Sequence, residues 1–196
     1  MSYHCAADAP RPISFPDWPA RQQLGDLFMT EIKFASYDLD TPSGRQSVLK
    51  KMPPDRETVA KYHAELLDLF KREMEFRREM GETVDGEPPC RDDEIAYYEQ
   101  LYWCGLLLYL IGDPADAPLM WKAKHTNMDT GCGFDGQFMV GAGVDATLKY
   151  LKDNDYKEIA EYLESMRRAK DFDDLPGWEQ FRIKYFYRDG AESPSR

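Results

Sequence analysis

The stretch from Arg91 to Ile111 constrains the fold more than any other part of the chain. Wound as a helix, it puts Ile95, Tyr98, Leu101, Tyr102, Gly105, Leu108 and Tyr109 on one side, and Trp103, Leu106, Leu107 and Leu110 on another. A helix apolar nearly all round has no broad face to offer to water, so neighbours must pack it on more than one side. At 196 residues, with 42% apolar and 13% aromatic side chains, the chain holds enough material for those neighbours and for a core that needs neither disulfides nor metal. The expectation is one central helix with others laid against it.

Caps, breakers and periodicity outline the neighbours. Pro10, Pro12, Pro16 and Pro19 cannot share one helix, because each lacks an amide donor and clashes with the preceding turn, so residues 1–16 read as an irregular arm. Asp17 is placed to cap a helix running to about Ser36, with Leu24, Leu27, Phe28, Ile32 and Ala35 on its buried face. A turn from Asp38 to Gly44 and a short helix through Val48 follow, stopped by Pro53 and Pro54. Asp55 then caps a long helix whose stripe is Val59, Tyr62, His63, Leu66, Leu67, Phe70 and Met74, with its charged residues on the other face and Gly81 at its end. After a polar loop at 81–90 and the central helix, which stops at Gly112, come shorter helices over 116–124, 134–140, 144–152, 155–168 and 176–187. The fold class expected is all-α, a multi-helix bundle or a short solenoid of helical hairpins, with 17–189 as a single helical domain and 190–196 as a flexible tail.

Charge narrows the partners. Twenty-five basic against 36 acidic side chains give a net charge of −11, whose field repels phosphate backbones and anionic headgroups, so neither nucleic acid nor membrane is expected. A basic protein is the complementary partner. Cys5, Cys90, Cys104 and Cys132 form no CxxC pair, no apolar run reaches the ~20 residues that span a bilayer, and the start lacks a basic and apolar leader, so reduced thiols and a cytoplasmic location are expected.

Three constellations bear on chemistry. Gly131, Gly133 and Gly136 spell GxGxxG, but MWKAKHTN before them reads as a helix end rather than the strand a dinucleotide fingerprint needs, so the glycines are assigned to a turn between helices. Cys132 lies in one loop with His125, Asp129 and Asp135, the residue types of a thiol nucleophile, its base and an orienting acid. That loop is the basis of an alternative reading as a small-molecule enzyme; the competing assignment packs Cys132 and lets His125 cap the helix ending near Lys124. No ExxH or HExxH occurs, and His63 sits on an apolar stripe as a hydrogen-bonded core histidine, so neither a metal site nor a cofactor is expected.

Between Glu82 and Glu99 the chain carries Glu82, Asp85, Glu87, Asp92, Asp93, Glu94 and Glu99 against Arg91 alone, leading into Tyr97, Tyr98, Tyr102 and Trp103. Aromatics beside concentrated charge are the residue types that anchor protein interfaces. The expected contacts are Glu87, Asp92, Asp93, Glu94 and Tyr97, joined by Asp129 and Asp135 of the later loop. The segment from Pro118 to Leu151, through MWKAKHTN, GCGFDGQF and GAGVDATLKYL, resembles a stretch of helical bacterial proteins of the toxin-immunity type. The resemblance implies an inhibitor that neutralises a cognate toxin through an acidic surface; it assigns no residue a role. A structural subunit of a larger assembly is the remaining alternative.

Overall fold

The computed structural model describes residues 31–81 and 97–187. The chain divides into two units, Met1–Glu31 and Ile32–Arg196, and every element below belongs to the second. The arm at 1–16, most of the helix expected over 17–36, the loop at 82–90 and the tail at 190–196 lie outside the described residues. Where that first helix was expected to finish, Lys33 is extended (φ −92°, ψ 92°) and Phe34–Ser36 form a 3-10 turn. The Ile32 amide donates to the Tyr62 hydroxyl at 3.0 Å, which ties this stretch of chain to the next helix pair.

Helix α1, Pro42–Lys51, starts where Pro42 pre-sets the first turn and the Thr41 hydroxyl accepts from the Gly44 amide at 3.2 Å. Helix α2, Arg56–Ala60, is capped by Asp55, which accepts from the amides of Glu57 and Thr58. The long helix expected from Asp55 is divided here. Lys61 and Tyr62 donate to carbonyls three residues back, at 3.1 and 3.0 Å, tightening the chain into a turn before α3, His63–Gly81, begins. The apolar stripe survives the break, since Val59, Leu66 and Phe70 are fully buried and Tyr62, His63, Leu67 and Met74 half-buried.

Helix α4, Gln100–Ile111, is the predicted centre: every residue from Gln100 to Leu110 is buried. Each fully buried leucine of this run contributes about 1.5–3 kcal/mol. Gly112 ends it at φ 74°, a left-handed conformation open to glycine at little cost, with its amide donating to Leu108 at 3.1 Å. Helices α1, α2 and α3 pack against α4, as does a 3-10 turn at Gly136–Val140. The close approach of that turn requires a glycine at 141, where a Cβ would stand 2.1 Å from the Tyr109 carbonyl oxygen.

The remaining elements are a 3-10 turn at Pro114–Asp116, α5 (Ala117–Lys124), α6 (Met128–Gly133), α7 (Val144–Asp153), α8 (Lys157–Ala169) and α9 (Leu175–Phe186). Helices α7 and α8 pair across a short turn, and α9 lays its aromatic side chains on α4 without burying any residue fully. Among the described residues the fold is an all-α multi-helix bundle, and no helix is long and apolar enough to cross a membrane.

The register of α3 carries more than apolar residues inward. Glu73 and Arg77 fall on the buried face with Leu66, Phe70 and Met80, whereas the sequence reading sent the charges of this helix to the solvent side. Arg45 of α1 ion-pairs with Glu73, both buried, and also donates to the carbonyls of Leu39 and Asp40 at 3.1 Å each. Burial raises the Glu73 carboxyl to about 7 against the opposing pull of Arg45 and Arg77. A carboxyl whose folded pKa exceeds its unfolded value holds its proton more tightly in the native state. That contribution is complete below pH 4.5 and is lost as pH rises through about 7. Urea denaturation from pH 5 to 8 should therefore show wild type losing about 2–3 kcal/mol relative to Glu73→Gln, which cannot titrate. Parallel stability curves for the two proteins would show that Glu73 is ionised throughout.

Candidate functional site

Helix α6 has six residues, too few to persist alone, and side chains hold it at both ends. Asn127 accepts from the Thr130 amide at 2.9 Å while Thr130 accepts from the Asn127 amide at 3.0 Å, a reciprocal capping box. At the other end the Lys124 ammonium donates to the carbonyls of Gly131 and Phe134, at 2.6 and 2.9 Å. Asn127 also donates to the Arg77 carbonyl at 2.9 Å, which fastens this helix to the end of α3. So braced, the helix holds Met128 outward at 85% exposure, with exposed Asp129 beside it.

Met80, Tyr98, Asn127, Met128 and Asp129 line a depression of about 180 Å³. Tyr98 is the last aromatic before α4, and its ring lies 4.2 Å from the guanidinium of buried Arg77. The same guanidinium donates to the Tyr102 hydroxyl at 3.2 Å. A cation under a tyrosine face is worth about 0.5–2 kcal/mol and fixes the ring in place. The depression is thus a rigid, half-apolar surface with one carboxylate on its rim.

The residues expected at an interface separate into three groups. Glu87, Asp92, Asp93 and Glu94 lie outside the described residues. Tyr97 is half-buried at the entry to α4, and Asp129 is exposed and shares the depression with Tyr98, although 31 positions separate the latter two in sequence. Asp135 is held internally: it accepts from the Trp178 indole at 2.8 Å and from Arg182 through Nε at 3.0 Å and through Nη2. Its charge is matched by α9, so it fastens that helix to the bundle.

The thiol loop divides in the same way. His125 is exposed, its Nδ1 lies 2.8 Å from the Trp121 carbonyl oxygen and its ring rests against the Trp121 indole at 4.0 Å, the helix-end position expected of it. Cys132 is exposed rather than packed, and no hydrogen bond or ion pair joins any two of His125, Asp129, Cys132 and Asp135. Two of the three glycines of GxGxxG serve close packing. A Cβ at Gly133 would meet the Tyr102 hydroxyl at 2.6 Å, one at Gly136 would meet the Met166 sulfur at 2.2 Å, and neither residue has positive φ. They lie in a short helix and a 3-10 turn, with no strand before them.

Two placements escaped sequence reasoning. Met128 and Asn127 were passed over because the stretch was read as a turn, yet the spacing Asn127-x-x-Thr130 is a capping signal that marks a helix start. Arg77 beneath Tyr98 had no local signal, since its partner lies across a loop. No family model, curated protein or solved structure matches the chain.

Proposed function

We propose that this chain is a protein-binding module of the immunity type, which neutralises a basic partner, a cognate toxin, by docking it at the depression between the end of α3, Tyr98 and α6. The observation that carries the reading is the convergence of Tyr98, at the end of the acidic 82–99 segment, with Asp129 of the later loop. Met128 supplies an exposed apolar anchor at the same place. Polarizable methionine and tyrosine surfaces beside a carboxylate suit a partner that presents basic and apolar groups together. A net charge of −11 speeds the encounter and disfavours acidic competitors.

The alternative enzyme reading draws no support from the arrangement of the loop, because His125 is engaged with the Trp121 carbonyl and no hydrogen bond joins it to Cys132. The test is copurification from the source cells at low salt, comparing wild type, Met128→Glu/Asp129→Lys and Glu161→Lys, an exposed charge control that does not line the depression. A partner held by wild type and the control should fall by about thirtyfold or more with the double variant, as expected for loss of an interface anchor. It should also elute earlier as salt is raised. Equal retention by all three proteins would move the interface elsewhere. A Cys132 that reacts with a thiol reagent at neutral pH far faster than a cysteine in an unstructured peptide would favour the enzyme.

A further inference from the structure

The junction of α3 with the turn that follows α4 gathers three potential ligands from two segments about 50 residues apart in sequence. His63 opens α3 and is half-buried. Asp113 and Asp116 flank the 3-10 turn at Pro114–Asp116, which starts directly after the left-handed cap at Gly112. His63 Nε2 lies 2.8 and 3.1 Å from the two oxygens of Asp116. One nitrogen of His63 and one oxygen from each aspartate lie within 4.8 Å of one another, the only such group of three or more among the described residues.

Two carboxylates and one imidazole meet at this junction. Asp116 is buried, with a side-chain exposure of 5%, and among the described residues its only hydrogen-bonding side chain is His63. Asp113 spends one oxygen on the Ala115 amide at 2.9 Å and offers an oxygen within 4.8 Å of Asp116. Among the described residues, no lysine or arginine pairs with either aspartate. Two carboxylates and one imidazole without a neighbouring base make a donor set in search of a cation. Burial of Asp116 holds one ligand still, while Asp113 is exposed and His63 is partly open, which leaves a path from solvent.

We propose that His63, Asp113 and Asp116 bind a first-row divalent cation of the zinc class. Imidazole with carboxylate oxygen matches that class, and three protein ligands leave a fourth, tetrahedral position for water. His63 binds through Nε2 as a neutral imidazole carrying its proton on Nδ1, and the cation takes the place of the His63–Asp116 hydrogen bond. The sequence hid the arrangement, because metal motifs are recognised by short spacing and these ligands meet only through the contact of α3 with the turn after α4. The proposal is independent of the docking surface at α6 and shares no residue with it.

The experiment uses the full chain after treatment with a chelator and a reductant, titrated with Zn²⁺ by calorimetry, with melting temperature as a second readout. Wild type and Cys132→Ser should bind one equivalent and melt higher with the metal. Asp113→Asn, whose exposed amide leaves the fold intact, should bind at least about tenfold more weakly, no less than the loss expected for an outer-shell partner. His63→Gln should abolish binding. The proposal is overturned if wild type shows no saturable binding below about 100 µM Zn²⁺, an affinity of roughly 5 kcal/mol. It is equally overturned if affinity survives Asp113→Asn and His63→Gln but disappears in Cys132→Ser, which would place the ion on thiols.

Discussion

Replacing Glu73 by leucine is expected to destabilise the fold by about 3–5 kcal/mol at pH 8, the cost of stranding a buried charge. Its partner Arg45 is 4% exposed and, unlike a carboxyl or an imidazole, a guanidinium cannot shed its charge by losing a proton. Arg45 therefore stays ionised inside the bundle, facing the carbonyls of Leu39 and Asp40 and the Phe76 ring but no carboxylate among the described residues. The double variant Arg45→Met/Glu73→Leu removes both charges and fills the space with apolar side chains, so it should recover most of the loss. What remains is the two carbonyl hydrogen bonds, about 1 kcal/mol each. Urea denaturation at pH 8 measures all three proteins. A double variant as unstable as the sum of its single variants would show that the pair does not interact across α1 and α3.

Phe138→Ala is expected to cost about 3–5 kcal/mol, the range for truncating a fully buried aromatic residue. Phe138 is inaccessible to solvent and joins three elements. Its ring centroid lies 4.8 Å from Phe134, and the Trp178 ring of α9 stands edge-on to it at 4.9 Å. Arg182 lies over its face at 5.5 Å, and Gly105 of α4 lets Phe134 and Phe138 pack close to that helix. Because Trp178 and Arg182 also hold Asp135, the cavity left by the phenyl ring should loosen α9 before the rest of the bundle. Tryptophan fluorescence should then report a transition at lower urea than far-ultraviolet circular dichroism. A loss below about 1.5 kcal/mol would mean that the surrounding rings close over the gap.

Much of the architecture could be read from the chain because helix signals are local. Asp55 as a cap, Gly112 as a stop and the all-round apolar run of α4 each depend on residues within a turn or two of one another. The misreadings have a common cause as well. Lys61 and Tyr62 divide an expected helix at a place where the Tyr62 hydroxyl accepts from the Ile32 amide, 30 residues away. Glu73 and Arg77 lie on the buried stripe at regular spacing, but a charge was assumed to face solvent, and Arg45 that compensates Glu73 belongs to another helix.

The candidate sites were less legible than the fold. Asp129 and Asp135 look equivalent in sequence, two acids flanking one glycine run. Their roles differ because Trp178 and Arg182, more than 40 positions downstream, reach Asp135 and not Asp129. In the same way His63 reads as one more member of an apolar stripe until Asp116 is set against it.

The sequence by itself determined the class of fold and the identity of its central helix, because period, caps and breakers act over a few residues and need no partner to be recognised. Only the tertiary structure decided which charges turn inward, which acid stays free at the surface and which distant side chains share a site. Those outcomes rest on contacts between helices, and a residue's electrostatic surroundings are set by whatever the fold brings within a few ångströms of it, not by its neighbours along the chain.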